Sequence, residues 1–491
     1  MINNPLKLSK DHNPNYLATI CRIEEVFPIE NADRLVKTVI NGYDMVISKD
    51  MVPGDIVVYF PCESCISEKF LSANNLYERS EFERNSNAEE VKKLIELAEN
   101  QDDETKKMEL LLQIKSMCGF FTSKGRVRIL RLRGQVSQGF IAGVDALEKM
   151  DPTLIGTDWG ALVGTQFDTV NDELICWKNV VMLPDHHTGS QSDWKKRMRR
   201  LKRFDRMVDG QFAFHYNTTM LAEHIKELVP DDIVHITVKI HGTSAIFGNI
   251  LVKKKLNWFK KALKFIGFNI NDKEYGNVYA SRTTIKNQYI NSGVGDGFYK
   301  TDVWGVVNDV IKPMLSEGMT VYGEICGYIP GSDKFIQKNH DYGCKVGEWK
   351  FMPYRITMTD SQGEKTEWNV EDVIRWTNDM IKAYPDVAKN IMCLTTLYHG
   401  RFGDLYPDIP EDLHWHDNVL ARMKNDKQRF LMELDEPMCT KYQVPREGIV
   451  VRIDNDIRPR AWKLKTLRHY GKEAEENDAG IVNIEDVGEQ Q

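Results

Sequence analysis

A lysine at the end of an alternating strand pattern is the residue of this sequence best suited to covalent chemistry. From Ile233 to Ile240 every second residue is apolar, which predicts a strand with one packed face and one polar face that carries Lys239. The polar face is expected to open onto a pocket. His241 and Gly242 follow, and the glycine permits close approach of the backbone. A lysine held there could attack a phosphorus atom as a neutral amine, although a strand-end lysine is by itself more often a solvated charge.

Four further segments carry side chains that suit a nucleotide. Arg282 follows a short extended run and offers a guanidinium to a ribose or a phosphate. Glu324 and Glu447 each lie in an apolar, glycine-flanked strand pattern, and a buried acid is rare unless it is paired, binds hydroxyls or coordinates a metal. The two carboxylates could hold a divalent ion beside a triphosphate. Lys463 and Lys465 share one strand face and suit the α-phosphate and the departing pyrophosphate.

The five segments, in this order, resemble motifs I, Ia, III, IV and V of the covalent nucleotidyl transferases, which include ATP-dependent polynucleotide ligases and capping enzymes. The motifs extend from Lys239 to Lys465. DNA ligases and capping enzymes usually have Asp two residues after the nucleophile. His241 at this position is typical of RNA ligases of the nick-sealing, bacteriophage T4 second-ligase type.

The first 165 residues have the pattern of a small barrel. Short β-like runs alternate with turns that contain glycine, over residues 17–26, 35–40, 43–48 and 56–60. A later basic strand pattern supplies candidate RNA contacts, as in many OB-like barrels, at Arg126, Arg128, Arg131 and Arg133. An OB module ahead of the transferase domain, with Arg-Leu-Arg-Gly-Gln-Val-Ser-Gln-Gly at 131–139, is similar to the Deinococcus-type RNA ligase family. That family seals 3′-OH/5′-phosphate nicks with ATP, and the resemblance covers nearly the whole chain.

The resemblance implies a three-step reaction. Lys239 attacks the α-phosphate of ATP, with Mg²⁺ or Mn²⁺ and two lysines offsetting the phosphate charge, and forms lysyl-AMP and pyrophosphate. The AMP passes to a 5′-phosphate, and a neighbouring 3′-OH then displaces it. Because lysine is ordinarily protonated at pH 7, nearby cations or desolvation must lower its pKa. The implied metal ligands are Glu324 and Glu447. Tyr354 is the best match for the aromatic that stacks on the purine and Phe351 is the second, although either could instead belong to the core. The implied nucleotide-binding residues are His241, Gly242, Arg282, Glu324, Tyr354, Lys463 and Lys465.

The distribution of charge, rather than its total, favours a nucleic-acid partner. The 491-residue chain has a net charge of −7, yet residues 194–206 and 253–264 are strongly basic. Phosphate contacts are expected from Lys195 and Arg199 in the first cluster and from Lys254 and Lys260 in the second. Each cluster could instead be a solvated helix face, a nuclear localisation signal or a membrane-surface helix. The expected partner is RNA, or an RNA/DNA duplex, that contains a nick.

Composition predicts the compartment and the state of the thiols. The sequence has no basic, apolar N-terminal signal and no run near eighteen apolar residues, which predicts a cytoplasmic or nuclear protein without a membrane partner. The nine cysteines are then expected to be free thiols.

The predicted fold class is α+β, an N-terminal OB-like β-barrel followed by a nucleotidyltransferase (ATP-grasp-like ligase) domain of antiparallel sheets with flanking helices. The predicted domain boundaries are 1–165 for the OB-like domain, about 81–118 for a helical insertion within it, 166–206 for a basic linker, 207–470 for the adenylyltransferase domain and 471–491 for a flexible acidic tail.

The sequence departs from the family pattern at two positions, and it leaves two alternative functions open. Val238 replaces an acid that often precedes the nucleophile, and Arg355 replaces the usual acid of motif IIIa. A GTP-dependent capping enzyme would use the same lysine, but it normally carries its OB module after the transferase domain. An inactive RNA-binding protein with this fold is the second alternative, and the presence of all five motifs favours an enzyme.

Overall fold

The protein is described here by a computed structural model, which covers residues 4–116, 118–180, 204–287, 301–454 and 460–481. The chain forms two compact units, Met1–Val180 and Val181–Gln491. No helix among the described residues is long and apolar enough to cross a membrane. All nine cysteines are free, as predicted.

Unit 1 is built mainly from short antiparallel strands. These are β1 (Leu6–Lys7), β2 (Ala18–Arg22), β3 (Phe27–Pro28), β4 (Leu35–Ile40), β5 (Tyr43–Ser48), β6 (Ile56–Phe60), β7 (Ser64–Ile66), β8 (Ile129–Leu132), β9 (Gln135–Gln138), β10 (Phe140–Gly143), β11 (Gln166–Phe167), β12 (Thr169–Val170), β13 (Glu173–Leu174) and β14 (Cys176–Lys178). Its α-helices are α1 (Glu68–Ala73), α2 (Glu89–Glu99), α3 (Glu104–Ser116) and α4 (Asp145–Met150).

The sheets of unit 1 follow the predicted alternation of strands and turns. β4 and β5 pair across Asn41 and Gly42, which both have positive φ and close a two-residue hairpin. The largest sheet has the order β10-β6-β2-β11. α2 and α3 form the predicted helical hairpin, in which Val91 packs with Ile114. Because β11 to β14 pair with strands of this unit, unit 1 extends to Val180 rather than ending at 165.

Unit 2 contains two five-stranded sheets with flanking helices. Its strands are β15 (Thr219–Met220), β16 (Ile233–Lys239), β17 (Thr243–Lys253), β18 (Lys273–Ala280), β19 (Met319–Gly327), β20 (Trp349–Thr359), β21 (Lys365–Glu367), β22 (Thr396–Arg401), β23 (Gly448–Ile453) and β24 (Arg460–Lys465). Its α-helices are α5 (Leu221–His224), α6 (Trp258–Phe265), α7 (Val303–Ile311), α8 (Val370–Ala383), α9 (Trp415–Lys424) and α10 (Leu467–Asp478).

The chain passes from one sheet to the other at the candidate nucleophile. The first sheet has the order β15-β24-β23-β16-β22, and the second has the order β18-β17-β19-β20-β21. β16 ends at Lys239 and β17 begins at Thr243, so only three residues separate the two sheets here. The prediction that the whole polar face of β16 opens onto a pocket is wrong, because His235 and Thr237 are buried. β16 lies between two other strands, and the ring of His235 stacks on His399 of β22 at 4.6 Å.

The C-terminal part of unit 2 differs from the predicted flexible tail. α10 continues to Asp478, and Ala474 within it is buried. The side chain of Thr466 accepts a hydrogen bond from the backbone N–H of His469 and caps the start of this helix. Residues 482–491 lie outside the described residues, as do Lys195 and Arg199 of the predicted basic linker.

Candidate active site

Lys239 and Glu447 form an ion pair at the end of two neighbouring strands. Lys239 is the last residue of β16, and Glu447 directly precedes β23, the strand that pairs with β16. The Lys239 Nζ lies 2.8 Å from the Glu447 Oε1; the lysine side chain is 26% exposed and the glutamate side chain 4%. The lysine is therefore open to a substrate while its partner is buried.

Further cations surround the Glu447 carboxylate. The Lys465 Nζ lies 4.0 Å from its Oε1 and 3.0 Å from the Glu473 Oε2 in α10. Burial raises the pKa of Glu447, but the neighbouring positive charges, first that of Lys239, outweigh burial and hold the pKa well below its usual range. Burial also raises the pKa of Glu473, and the nearby Lys465 lowers it to about 2. Both carboxylates are thus ionised at neutral pH.

A group of histidines completes this cluster. The His241 ring lies 4.9 Å from the ring of His340 and 5.0 Å from that of His469. His340 and His469 are buried, and burial lowers their pKa values to about 2 and about 4, so both imidazoles are neutral at pH 7. His469 and Glu473 were not among the residues predicted from the sequence. Their spacing of four residues, which places both on one helix face, could have indicated that they act together.

Glu447, His241 and His469 have the geometry of a metal-ligand set. Their ligand atoms all lie within 4.8 Å of one another. The Glu447 Oε2 and both ring nitrogens of His469 are buried without a hydrogen-bond partner among the described residues, so they could serve as ligands. Two imidazoles and a carboxylate suit Mn²⁺ better than Mg²⁺, which prefers oxygen ligands. Glu324, the other predicted metal ligand, is not a member of this set.

Two glycines let strands approach each other closely around the site. A Cβ on Gly242 would lie 2.3 Å from the Ile325 backbone oxygen and 2.7 Å from the Glu324 Cγ. Gly242 thus packs directly against β19, where Glu324 is buried opposite Ser244. Gly448 has a φ of +152°, and a Cβ there would lie 2.0 Å from the Leu464 backbone oxygen. Any larger residue would displace the strands that hold Glu324 and Glu447.

Other predicted nucleotide-binding residues lie around His215, which sequence reasoning missed. Burial lowers the pKa of His215 well below its usual value, and nearby positive charges lower it further, in the order Arg355, Arg282, Lys239 and Lys463. The Tyr354 ring lies 5.2 Å from the His215 ring. The Arg282 guanidinium donates to the Asn217 Oδ1. Arg282, Lys463, Tyr354 and Lys239 therefore all lie near His215.

Arg355, which replaces the usual acid of motif IIIa, is held by protein groups. Its guanidinium makes two hydrogen bonds of 2.9 Å to the Glu367 carboxylate. It also lies over the rings of Tyr322 and Tyr216, at 4.4 and 4.8 Å from their centroids. A bidentate, stacked guanidinium of this kind orders the strands around it and adds positive charge near His215.

The candidate RNA contacts of unit 1 differ in their exposure. Arg126, a candidate RNA contact on the predicted basic strand, is instead buried ahead of β8: its side chain is 7% exposed and its Nε lies 3.2 Å from the Glu63 Oε2. β8 begins only at Ile129, so Arg128, which is partly exposed, also precedes the strand. Arg131 and Arg133 are exposed, and Arg133 lies in the β8–β9 turn with a φ of +50°.

The candidate contacts in unit 2 belong to the β17–β18 hairpin and its connection. Lys254 directly follows β17 and is partly exposed. Lys260 lies in α6, but its side chain is outside the described part of the structure.

The neutral buried histidines predict a loss of stability in mild acid. Burial lowers the pKa of His235, His340 and His469 to about 4, 2 and 4, whereas the same groups in the unfolded chain titrate near their ordinary pKa of 6.5. Below pH 6.5 the unfolded chain therefore binds protons that the folded chain does not. We expect the free energy of unfolding to fall by about 2 kcal/mol per histidine between pH 7 and pH 5, as measured by urea unfolding.

A substitution separates this effect from general acid sensitivity. His235→Gln cannot titrate, so its loss of stability between the two pH values should be smaller by about 2 kcal/mol. The exposed His414 provides the matched control, and His414→Gln should behave like the wild type. Equal stability of the wild type at both pH values would contradict the prediction.

Comparisons with known proteins agree with this architecture. A family model described as an OB-fold domain matches residues 17–92, whereas no curated protein matches the chain. A mutant of Naegleria gruberi RNA ligase, solved with AMP and Mn, is similar in structure with a TM-score of 0.51 and 16% identity, covering 93% of this chain and 99% of that one. A second mutant of the same ligase, also with AMP and Mn, has a TM-score of 0.50 and 16% identity, covering 93% and 98%.

These comparisons confirm the predicted fold class. The chain is an α+β protein in which an OB-fold unit precedes a unit of mainly antiparallel sheets and flanking helices, and its fold is similar to that of Naegleria gruberi RNA ligase. At 16% identity, the likeness concerns the fold.

Proposed function

We propose that this protein is an ATP-dependent RNA ligase that seals 3′-OH/5′-phosphate breaks, such as nicks in a duplex that contains RNA. The observation that carries the proposal is the contact of 2.8 Å between the Lys239 Nζ and the buried Glu447. The lysine stands where the two sheets of unit 2 meet, and it is the more exposed member of the pair. An RNA-ligase fold supports the same function.

In the first step, the Lys239 Nζ attacks the α-phosphorus of ATP. A phosphorus–nitrogen bond forms, the bond to the pyrophosphate oxygen breaks, and the product is lysyl-AMP. The amine must be neutral to attack, and the charges of Lys463 and Lys465 favour loss of its proton as well as offsetting charge on the phosphates. A divalent cation held by Glu447, His241 and His469 would further neutralise the triphosphate.

The later steps transfer AMP to the 5′-phosphate of one strand and release it when the 3′-OH of the other strand attacks. We assign Tyr354 to the purine, Arg282 to the ribose or a phosphate, and Glu324 to nucleotide hydroxyls or a second metal. On unit 1, the exposed Arg131 and Arg133 are proposed contacts for RNA phosphates. We also propose that the protein is related to the Deinococcus-type ligases, which have an N-terminal OB module.

Incubation of the purified chain with α-labelled ATP or GTP and Mn²⁺ tests the first step. We expect a covalent adduct with ATP that survives denaturation, because the phosphoramide bond is covalent. An adduct with GTP alone would instead identify a capping-type transferase. No adduct with either nucleotide would identify an inactive binding protein and overturn the proposal.

A panel of nicked duplexes tests the complete reaction. RNA and DNA are varied independently on the 3′-OH and 5′-phosphate sides of the nick, and sealed product is measured. We expect sealing of at least one nick that contains RNA. Formation of the adduct without sealing of any member would restrict the proposal to nucleotidyl transfer.

A further inference from the structure

The connection between β17 and β18 exposes large apolar side chains. α6 lies in this connection, and every side chain of α6 that the structure describes is exposed. The exposed fractions are 79% for Trp258, 92% for Phe265 and 60% for Phe268. Phe259 and Ile266 are more than half exposed as well. Exposed apolar side chains grouped in this way commonly indicate a binding surface.

The same segment has an excess of positive charge. Residues 253–264 include six lysines and no acid. At the adjoining end of the hairpin, Lys253 pairs directly with Lys273, so two like charges face each other across the strands. Such a pair is unfavourable in isolation, and an anionic partner would offset the repulsion.

A basic cavity lies beside α6. It has a volume of about 320 Å³ and is lined by Arg206, Lys254, Lys255, Leu256, Asn257 and Glu274. Glu274, the one acid of this lining, is already ion-paired with Arg206. The cavity therefore has a net positive charge and room for a phosphate group.

We propose that α6 and this cavity form a peripheral binding site for a membrane surface that contains anionic phospholipids. Trp258, Phe265 and Phe268 enter the boundary between the headgroups and the acyl chains, and Lys254 and Lys255 contact the headgroups. The cavity receives a headgroup phosphate. The helix lies on the membrane, because its eight residues cannot span it. This site does not depend on the ligase function.

Lipid explains the surface better than the RNA contact expected for Lys254 and Lys260. Bases stack on aromatic rings, but the exposed Ile266 offers no ring. Arg206, the one arginine of the cavity lining, is already paired with Glu274, which makes it less available for a bidentate phosphate contact. An interfacial helix accounts for both aliphatic and aromatic side chains beside lysines.

Flotation of the full chain with lipid vesicles tests the proposal. We expect binding to phosphatidylcholine vesicles that contain phosphatidylserine, and little binding to phosphatidylcholine alone, because each lysine near an anionic surface strengthens binding roughly fivefold. Added salt should weaken the binding. Failure of the wild type to float with phosphatidylserine vesicles would overturn the proposal.

Substitutions locate the contact. The double variant Phe265→Asp and Phe268→Asp should lower the vesicle partition coefficient by about tenfold or more, because two aromatic side chains no longer enter the membrane. Leu413, which is 90% exposed in the same unit, provides the matched control, and Leu413→Asp should bind like the wild type. Lys254→Glu with Lys255→Glu should also reduce binding, through charge alone.

Two results would contradict the proposal although the wild type binds vesicles. One is equal vesicle binding by the double aspartate variant and the wild type. The other is loss of affinity for nicked RNA in that variant without a change in flotation, which would assign the surface to RNA. Adenylylation by the double variant, measured in parallel, should equal that of the wild type and shows that the fold is retained.

Discussion

We expect Lys239→Ala to form no covalent adduct with α-labelled ATP under conditions in which the wild type is labelled. The alanine has no nitrogen to attack the α-phosphorus, and Lys465, whose Nζ also lies beside Glu447, is held by another carboxylate. The Lys465 Nζ donates a hydrogen bond of 3.0 Å to the Glu473 carboxylate, and the lysine side chain is only 12% exposed. Gel electrophoresis of the denatured protein measures the label directly. A labelled Lys239→Ala variant would remove Lys239 from its assigned role.

Two control variants separate loss of the nucleophile from loss of the fold. Lys239→Arg keeps a positive charge beside Glu447, but a guanidinium remains protonated and should also fail to react. Lys389, whose side chain is 71% exposed in the same unit, is the matched surface position, and Lys389→Ala should be labelled like the wild type. Thermal unfolding of all three variants checks that unit 2 is intact.

The Lys239→Ala variant should still catalyse the last step of the reaction. Sealing of a nick that already carries 5′-adenylate requires no lysyl intermediate, because the 3′-OH attacks the phosphate directly. We therefore expect Lys239→Ala to seal a pre-adenylated RNA nick in the absence of ATP. Loss of this activity in a folded variant would mean that Lys239 also supports strand joining.

The strand that carries the candidate nucleophile could be predicted from the sequence because its signal is local. The period of two from Ile233 to Ile240 predicts the strand, and β16 covers Ile233–Lys239. Turn residues predicted the β4–β5 hairpin in the same way, since Asn41 and Gly42 favour positive φ. Features of this kind depend on neighbours in the chain, so no tertiary information is needed.

The features that were mispredicted depend on partners distant in sequence. Arg126 had the pattern of an exposed strand residue, but Glu63 neutralises it in the interior of unit 1. The polar composition after residue 470 indicated a tail, whereas Glu473 is held against Lys465 of β24. A charged side chain is buried when its partner is placed beside it, and one-dimensional patterns do not contain that pairing.

Glu447→Gln is expected to have the second largest effect, a fall of about 10²- to 10³-fold in the rate of adenylylation. Glutamine has nearly the same shape but no charge, so it should hold the Lys239 Nζ in place less firmly than the carboxylate does at 2.8 Å, and it cannot serve as an anionic metal ligand. Because the pKa of Glu447 lies well below its usual range, the wild-type carboxylate is ionised throughout the neutral range. The Glu447→Gln substitution therefore removes one negative charge from the site throughout this pH range.

A manganese titration of the adenylylation rate tests whether the lost charge acts through the metal. If Glu447 holds the cation together with His241 and His469, the Mn²⁺ concentration for half-maximal rate should rise in Glu447→Gln and, by a smaller factor, in His469→Gln. Glu411, which is exposed in the same unit, provides the matched control, and Glu411→Gln should keep the wild-type dependence. An unchanged Mn²⁺ dependence in Glu447→Gln, combined with a slow rate, would assign the carboxylate to Lys239 alone. A wild-type rate would contradict the proposed site as a whole, since the buried charge would then have no part in the reaction.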